Sequence, residues 1–86
     1  MQNKKELLAV GKELLAMRCL IGRNIYEIRL HKKMTLKKLA RRADVCRDRL
    51  DQYEIGKSDI GLEAIIRIAN SMGVSLNDLM SCKHMT

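Results

Sequence analysis

Thr35-Leu-Lys-Lys-Leu-Ala-Arg-Arg-Ala-Asp-Val-Cys-Arg-Asp-Arg-Leu-Asp-Gln-Tyr-Glu-Ile-Gly-Lys57 is the stretch on which the architecture turns. It reads as two short helices joined by a tight turn. Thr35 is placed to cap the first helix, its hydroxyl meeting a free amide of the opening turn. That helix is expected to run to about Arg42, with the turn at Ala43-Asp44. The second helix is expected from Arg47 to about Ile55. Gly56 follows as a residue able to take the left-handed conformation that ends a helix. Leu39, Ala40, Val45, Leu50 and Tyr53 fall where two such helices must touch. Ala40 marks the close crossing, while Val45 and Leu50 anchor the second helix from beneath. Its other side carries arginines and a glutamine.

Two helices in this order, with the second polar on its outer side, form the helix-turn-helix arrangement, whose second helix suits the DNA major groove. Downstream, the loop from Lys57 to Ile60 leads to a helix expected over 62–72. Its apolar positions are Leu62, Ile65, Ile66, Ala69 and Met72, and Gly73 stops it. Ser75 and Asp78 have capping-box spacing for a last short helix carrying Leu76, Leu79 and Met80. Upstream, residues 19–32 place Leu20, Ile21, Ile25 and Ile28 inward and Arg23, Glu27 and Lys32 toward water. Further upstream, Lys5-Glu-Leu-Leu-Ala9 recurs as Lys12-Glu-Leu-Leu-Ala16. With that period of seven, Leu7, Val10, Leu14, Met17 and Ile21 share one helix face. The stripe either packs on its own domain or meets a second copy or another partner. Gly11 lies within this helix and weakens it.

Phe, Trp and Pro are absent, so the core is aliphatic, and no strand-like alternation appears. An all-α fold follows. With 86 residues the chain is one domain with a small core. It divides into an N-terminal amphipathic extension over 1–18, a helix-turn-helix domain over 19–80 and a tail over 81–86.

The formal net charge is +7, and residues 29–57 alone hold ten Lys/Arg against four acids. A basic excess concentrated on the motif suits a polyanion. Cys19, Cys46 and Cys82 lack the number and spacing of a disulfide framework or a zinc site. Cys82-Lys83-His84 is at most a weak metal-binding tract, so no metal and no cofactor are expected. No membrane-length apolar run and no signal segment are evident, which fits a cytoplasmic, nucleoid-associated protein. His31 and His84 are isolated and no nucleophile–base set appears, so no catalytic residues are expected.

The matching elements are Ile25-x-x-Ile28-Arg29, Thr35-x-x-x-Leu39-Ala40, Val45-Cys46, Leu50-x-x-Tyr53-Glu54-x-Gly56-Lys57, Leu62-x-x-Ile65-x-x-x-Ala69-x-x-x-Gly73-Val74-Ser75 and Asp78-Leu79. In this order they resemble the Cro/C1-type, or XRE-type, helix-turn-helix family of phage and bacterial repressors, over about Leu20 to Met80. The resemblance implies a compact five-helix, lambda-repressor-like domain, with residues 1–18 added outside it.

It also implies base-edge contacts from Arg47, Asp48 and Gln52. Arg pairs bidentately with guanine, Gln with adenine, and Asp accepts from cytosine. Lys37, Lys38, Arg49 and Lys57 are candidates for phosphate. Glu54 resembles the family glutamate that pairs with an arginine of the first helix, here Arg29. The usual family dimer surface corresponds to Leu76, Leu79 and Met80.

Four positions depart from the family pattern. Asp44 stands at the usual turn Gly, Cys46 at the usual capping Ser or Thr, Ile60 at a frequent Pro, and Leu36 at a frequent phosphate-binding Gln. The expected function is a transcriptional regulator binding double-stranded DNA as a homodimer on a pseudo-palindrome, of phage, mobile-element or restriction-modification controller type. Two alternatives stand beside it. One is an antitoxin whose residues 1–18 cover a toxin. The other is a protein-interaction module on the same fold that has lost DNA binding, for which Cys46, Asp48 and Asp51 speak.

Overall fold

The computed structural model describes residues 4–82, with side chains in the first helix from Leu8 onward. The side chain of Leu7, together with Lys83 and His84, lies outside the described residues. Five helices follow in order: α1 (Lys4–His31), α2 (Leu36–Ala43), α3 (Arg47–Glu54), α4 (Leu62–Met72) and α5 (Leu76–Met80). There is no strand among the described residues. α2 packs against both α3 and α4, while α1 lies across α3 and α5. The side chains of Ile25, Leu39, Leu50, Ile68 and Leu79 meet in the middle, fully buried. No described helix is long and apolar enough to cross a membrane.

The helix ends explain the compact connections. After α1, α2, α3 and α4 one residue takes a positive φ: Lys33, Asp44, Gly56 and Gly73. The next amide then reaches back to a carbonyl of the last turn: Met34 to Arg29, Val45 to Ala40, Lys57 to Gln52 and Val74 to Ala69. Each is a Schellman-type closure that satisfies otherwise orphaned carbonyls. Asp44 holds the left-handed conformation at φ 55°, as expected for the turn. Lys33 does so at φ 57°, which no sequence signal indicated. At the other ends, Thr35 accepts from the Lys38 amide, and Ser75 and Asp78 form the reciprocal capping box.

α1 is a single helix of 28 residues that passes through residue 18 and through Gly22 without a break. From Met17 onward it lies on the domain, but residues 8–16 are all exposed, and Leu14 keeps 56% of its surface. Packing of this segment on its own domain, one of the two expected outcomes, does not occur.

At Gly22 the backbones of α1 and α3 come close together. A Cβ there would stand 2.1 Å from the Tyr53 carbonyl oxygen and 2.7 Å from that of Glu54. One turn earlier, Cys19 abuts Gly56, whose own missing Cβ would lie 3.0 Å from the Cys19 Sγ. Two turns after Gly22, on the same face, Arg29 grips Glu54. Its Nε donates to one carboxylate oxygen at 2.7 Å and its Nη2 to the other at 3.0 Å. Its Nη1 donates to the Met34 carbonyl at 2.9 Å, and Tyr26 lies 5.4 Å from the guanidinium carbon. The side chains are 10% and 4% exposed. The hydrogen bonds that Arg29 donates to the Glu54 carboxylate hold its pKa above the ordinary value, outweighing the lowering effect of burial. Asn24, also buried, donates both amide hydrogens, to the Leu79 and Ser81 carbonyls, and so ties α5 to α1.

Two expectations are corrected. α4 buries Ile65, Ile68, Ala69 and Met72, whereas Leu62 is 74% exposed and Ile66 lies on the outer side. The true stripe follows i, i+3, i+4, i+7 from Ile65. Ile66 is turned off that stripe, and Leu62 opens the helix, beyond the side chains that cover its later turns. Leu79 is 0% exposed and belongs to the chain's own core, so it offers no side-chain surface to a second copy. Leu76 is half-buried and Met80 is 40% exposed, leaving these two as the outer part of the expected dimer set.

Gly22→Ala should lower stability by about 1–3 kcal/mol, the usual range for overpacking. In a domain of this size that corresponds to a melting temperature lower by about 4–8 °C per kcal/mol. An unchanged thermal melt would show that α1 and α3 do not meet this closely. For the ion pair, Arg29→Met or Glu54→Met alone should each cost about 3–5 kcal/mol, because each leaves a buried charge unpaired. The double variant should cost much less than the sum. Denaturant melts of the four proteins test this, and strictly additive losses would remove the coupling.

Candidate nucleic-acid interface

α3 is an eight-residue helix whose inner side is set by Leu50 and Tyr53, both buried. Its last residue, Glu54, is fastened by Arg29. The opposite side is therefore held facing outward by both packing and a charged clamp. Arg47, Asp48 and Arg49 of its first turn are exposed, and Gln52 is half-buried one turn further on. Asp48 and Gln52 share a ridge at i, i+4 spacing. Arg47 and Arg49 flank it on either side.

The N-terminus of α3 begins at Cys46, which has the extended conformation of a cap but makes no side-chain hydrogen bond to the helix. A thiol is a poor acceptor beside a hydroxyl. Asp48 in the first turn supplies a negative charge to the positive end of the helix dipole instead. Lys57 is exposed immediately after the Gly56 turn. On α2, Lys37 and Lys38 are exposed in the first turn, beside the capping Thr35.

The cations of this surface carry no ion pair with the chain's own acids among the described residues. Among the described residues the ion pairs are Arg18–Asp59, Arg29–Glu54 and Glu63–Arg67. None involves Lys37, Lys38, Arg47, Arg49 or Lys57. Asp51, which counted against a nucleic-acid surface in the sequence, lies in a recess with Arg23, Tyr26, Arg29, Glu54 and Ile55. Its charge adds to the field that raises the Arg29 pKa. Asp51 is thus partly balanced from α1, leaving Asp48 as the acid on the outer ridge.

The structure brings Arg47, Asp48, Arg49 and Gln52 together on α3, Lys37 and Lys38 together on α2, and Lys57 beside the end of α3. Two residues with structural or electrostatic weight were passed over in the sequence. Asn24 was hidden because a polar residue within an apolar stripe carries no sign of which carbonyls it will meet. Arg41 was counted as charge but given no role, although its spacing from Lys37 and Lys38 places all three on one side of α2.

The family model for helix-turn-helix domains matches residues 25–79. No curated protein matches the chain in sequence. Among solved structures, the restriction-modification controller protein C.AhdI from Aeromonas hydrophila is similar with a TM-score of 0.72 at 22% identity, over 74% of this chain and 97% of that one. The clp gene regulator ClgR from Corynebacterium glutamicum gives a TM-score of 0.70 at 25% identity, over 73% of this chain and 82% of that one. The hypothetical transcription factor NHTF from Neisseria gives 0.72 at 25% identity, over 76% and 75%. With the motif formed by α2 and α3 inside the matched segment, the chain belongs to the Cro/C1-type helix-turn-helix family.

Proposed function

We propose that this DNA-binding transcriptional regulator acts as a homodimer on a pseudo-palindromic operator, by binding and without catalysis, in the cytoplasm on the nucleoid. The observation that carries the reading is the unpaired basic surface around the exposed first turn of α3, on a helix clamped at its other end. In this reading α3 enters the major groove, with Arg47 and Gln52 reading base edges and Asp48 discriminating beside them. Lys37, Lys38, Arg49 and Lys57 hold phosphates and set the register without reading sequence. The names of ClgR, a gene regulator, and NHTF, a hypothetical transcription factor, support the regulatory part of this reading.

The two recognition helices of such a dimer lie about 34 Å apart, one turn of DNA. Leu76 and Met80 on α5 are the surface through which we infer that the dimer forms. A second reading adds a protein partner, such as a toxin, on the exposed segment of α1. Leu8, Val10, Leu14 and Leu15 favour it, since four large apolar side chains in the open are costly to keep in water.

Arg47→Ala should weaken the cognate complex by about 1–3 kcal/mol and relax preference at one base position. Lys57→Ala should instead weaken all sequences alike and flatten the salt dependence. Equal losses for both variants on operator and random DNA would overturn the assignment of Arg47 to a base. Sedimentation separates the two surfaces. Met80→Asp should give a monomer with poor operator binding, whereas Leu14→Asp should keep the dimer and its DNA affinity. A monomeric Leu14→Asp with a dimeric Met80→Asp would move the operator dimer to α1.

A further inference from the structure

Gly11 lies in the middle of the exposed part of α1. Among the described residues, nothing that packs on α1 comes within 4 Å of where its Cβ would stand. A glycine inside a helix weakens it, and no described contact offsets that cost. Gly22 shows what such a residue does on this helix, for there the missing side chain lets the α3 carbonyls come in. Gly11 and Gly22 are about three turns apart, so they face the same side. The notch at Gly22 is filled by α3, and the one at Gly11 is open.

The surroundings of Gly11 are specific. Its neighbours on the helix surface, at i−4, i−3, i+3 and i+4, are Leu7, Leu8, Leu14 and Leu15. Leu8, Leu14 and Leu15 are 66%, 56% and 50% exposed. Leu7 completes the ring by its place in the helix. Lys12 and Glu13 fall off this face. A hole bounded by four side chains is what one helix offers to another that packs on it. A glycine at its centre lets two backbones approach closely.

The ring also maps onto itself. A two-fold axis through Gly11 exchanges Leu7 with Leu15 and Leu8 with Leu14, because the Lys-Glu-Leu-Leu-Ala unit occurs on both sides of it. Such self-matching is the condition for an isologous contact between identical chains. Space fixes the orientation. From Met17 onward this side of α1 is occupied by its own domain, so a second helix running parallel would meet α3. An antiparallel one crosses at Gly11 and starts beside Arg18, at the edge of the domain. The ring spans about 12 Å of helix, too short to bury the roughly 1,200 Å² of a stable interface. The contact is therefore weak alone and adds to a stronger one.

We propose that the exposed segment of α1 pairs with the same segment of a second copy, antiparallel, with Gly11 over Gly11 and the two leucine rings interleaved. The symmetry of the ring selects a second copy over an unrelated protein. The proposal rests on the α5 dimer only for its stoichiometry, since the contact then joins two such dimers.

Sedimentation of the full chain over a concentration series tests this. The wild type should pass from dimer to tetramer as concentration rises. Gly11→Leu enlarges the apolar surface and favours the helix, so a merely adhesive stripe would associate more tightly. At a close crossing it should instead raise the dissociation constant of the tetramer by about tenfold or more, with Gly11→Ala between. Leu14→Asp should abolish the tetramer and keep the dimer. Circular dichroism of both Gly11 variants should show undiminished helix, which separates a lost contact from a lost helix. In chains with Cys19, Cys46 and Cys82 changed to Ser, Leu8→Cys should cross-link to Leu14→Cys, and neither to itself. The α5 assignment is read separately: if Met80→Asp sediments as the wild type, that assignment fails while the Gly11 variants still decide the contact. Equal or tighter association of Gly11→Leu overturns the crossing at Gly11. Cross-linking of each cysteine variant only to itself overturns the antiparallel arrangement. Absence of any tetramer or α1-dependent association in the wild type overturns the second copy and leaves the face to a different protein.

Discussion

The bidentate pair between Arg29 and Glu54 is the interaction on which the presentation of α3 depends. It joins the end of α1 to the last residue of the recognition helix, and the third bond from Arg29 to the Met34 carbonyl reaches the loop that leads into α2. One guanidinium thereby fixes three segments around a single point. A buried ion pair is seldom a net source of stability, because desolvation offsets much of the attraction. Its value here is geometric. Leu50 and Tyr53 would hold α3 against the core with some freedom to roll, and the charged fork removes that freedom. Gly22 sets the distance at which the fork operates, since any side chain there would push the α3 carbonyls away.

A second constraint is the repeated way in which helices end. Four left-handed residues turn the chain within a few positions, and each closure returns an amide to the helix just completed. Asp44 and Lys33 adopt this conformation without being glycine, at a cost of about 1–2 kcal/mol each. For Asp44 the result is the tight angle between α2 and α3. For Lys33 it brings Met34 close enough for its carbonyl to meet Arg29. The strain at the first loop and the clamp on the recognition helix are parts of one arrangement.

Charge is distributed to match. Arg18, Arg29 and Arg67 are paired with carboxylates, whereas the cations on α2 and the first turn of α3 are not. The result is a surface whose electrostatic cost is relieved by a polyanion, on a helix pair whose rigidity allows that relief to depend on position. The exposed segment of α1 has the opposite chemistry. It extends the apolar stripe of Ile21, Ile25 and Ile28 beyond the edge of the domain, with no described element to cover it.

What could be read from the sequence was whatever depends on neighbours along the chain. The Thr35 cap, the Ser75–Asp78 box, the stops at Gly56 and Gly73, the turn at Asp44 and the bounds of α4 all rest on contacts within a few residues, and all are legible as spacing. The family pattern added the pairing of Arg29 with Glu54, which no local rule contains. Decisions that belong to the tertiary structure were of another kind. Leu62 and Leu79 are both leucines on amphipathic helices, yet one is open to water and the other sits at the centre, because burial depends on whether another helix arrives above. Asn24 is meaningful only once the α5 carbonyls stand over it. Gly22 becomes a notch for α3 only in the packed fold, since a missing side chain carries one message in an isolated helix and another under a crossing one. Periodicity determines which face of a helix is apolar; only the packed fold determines which part of that face is covered.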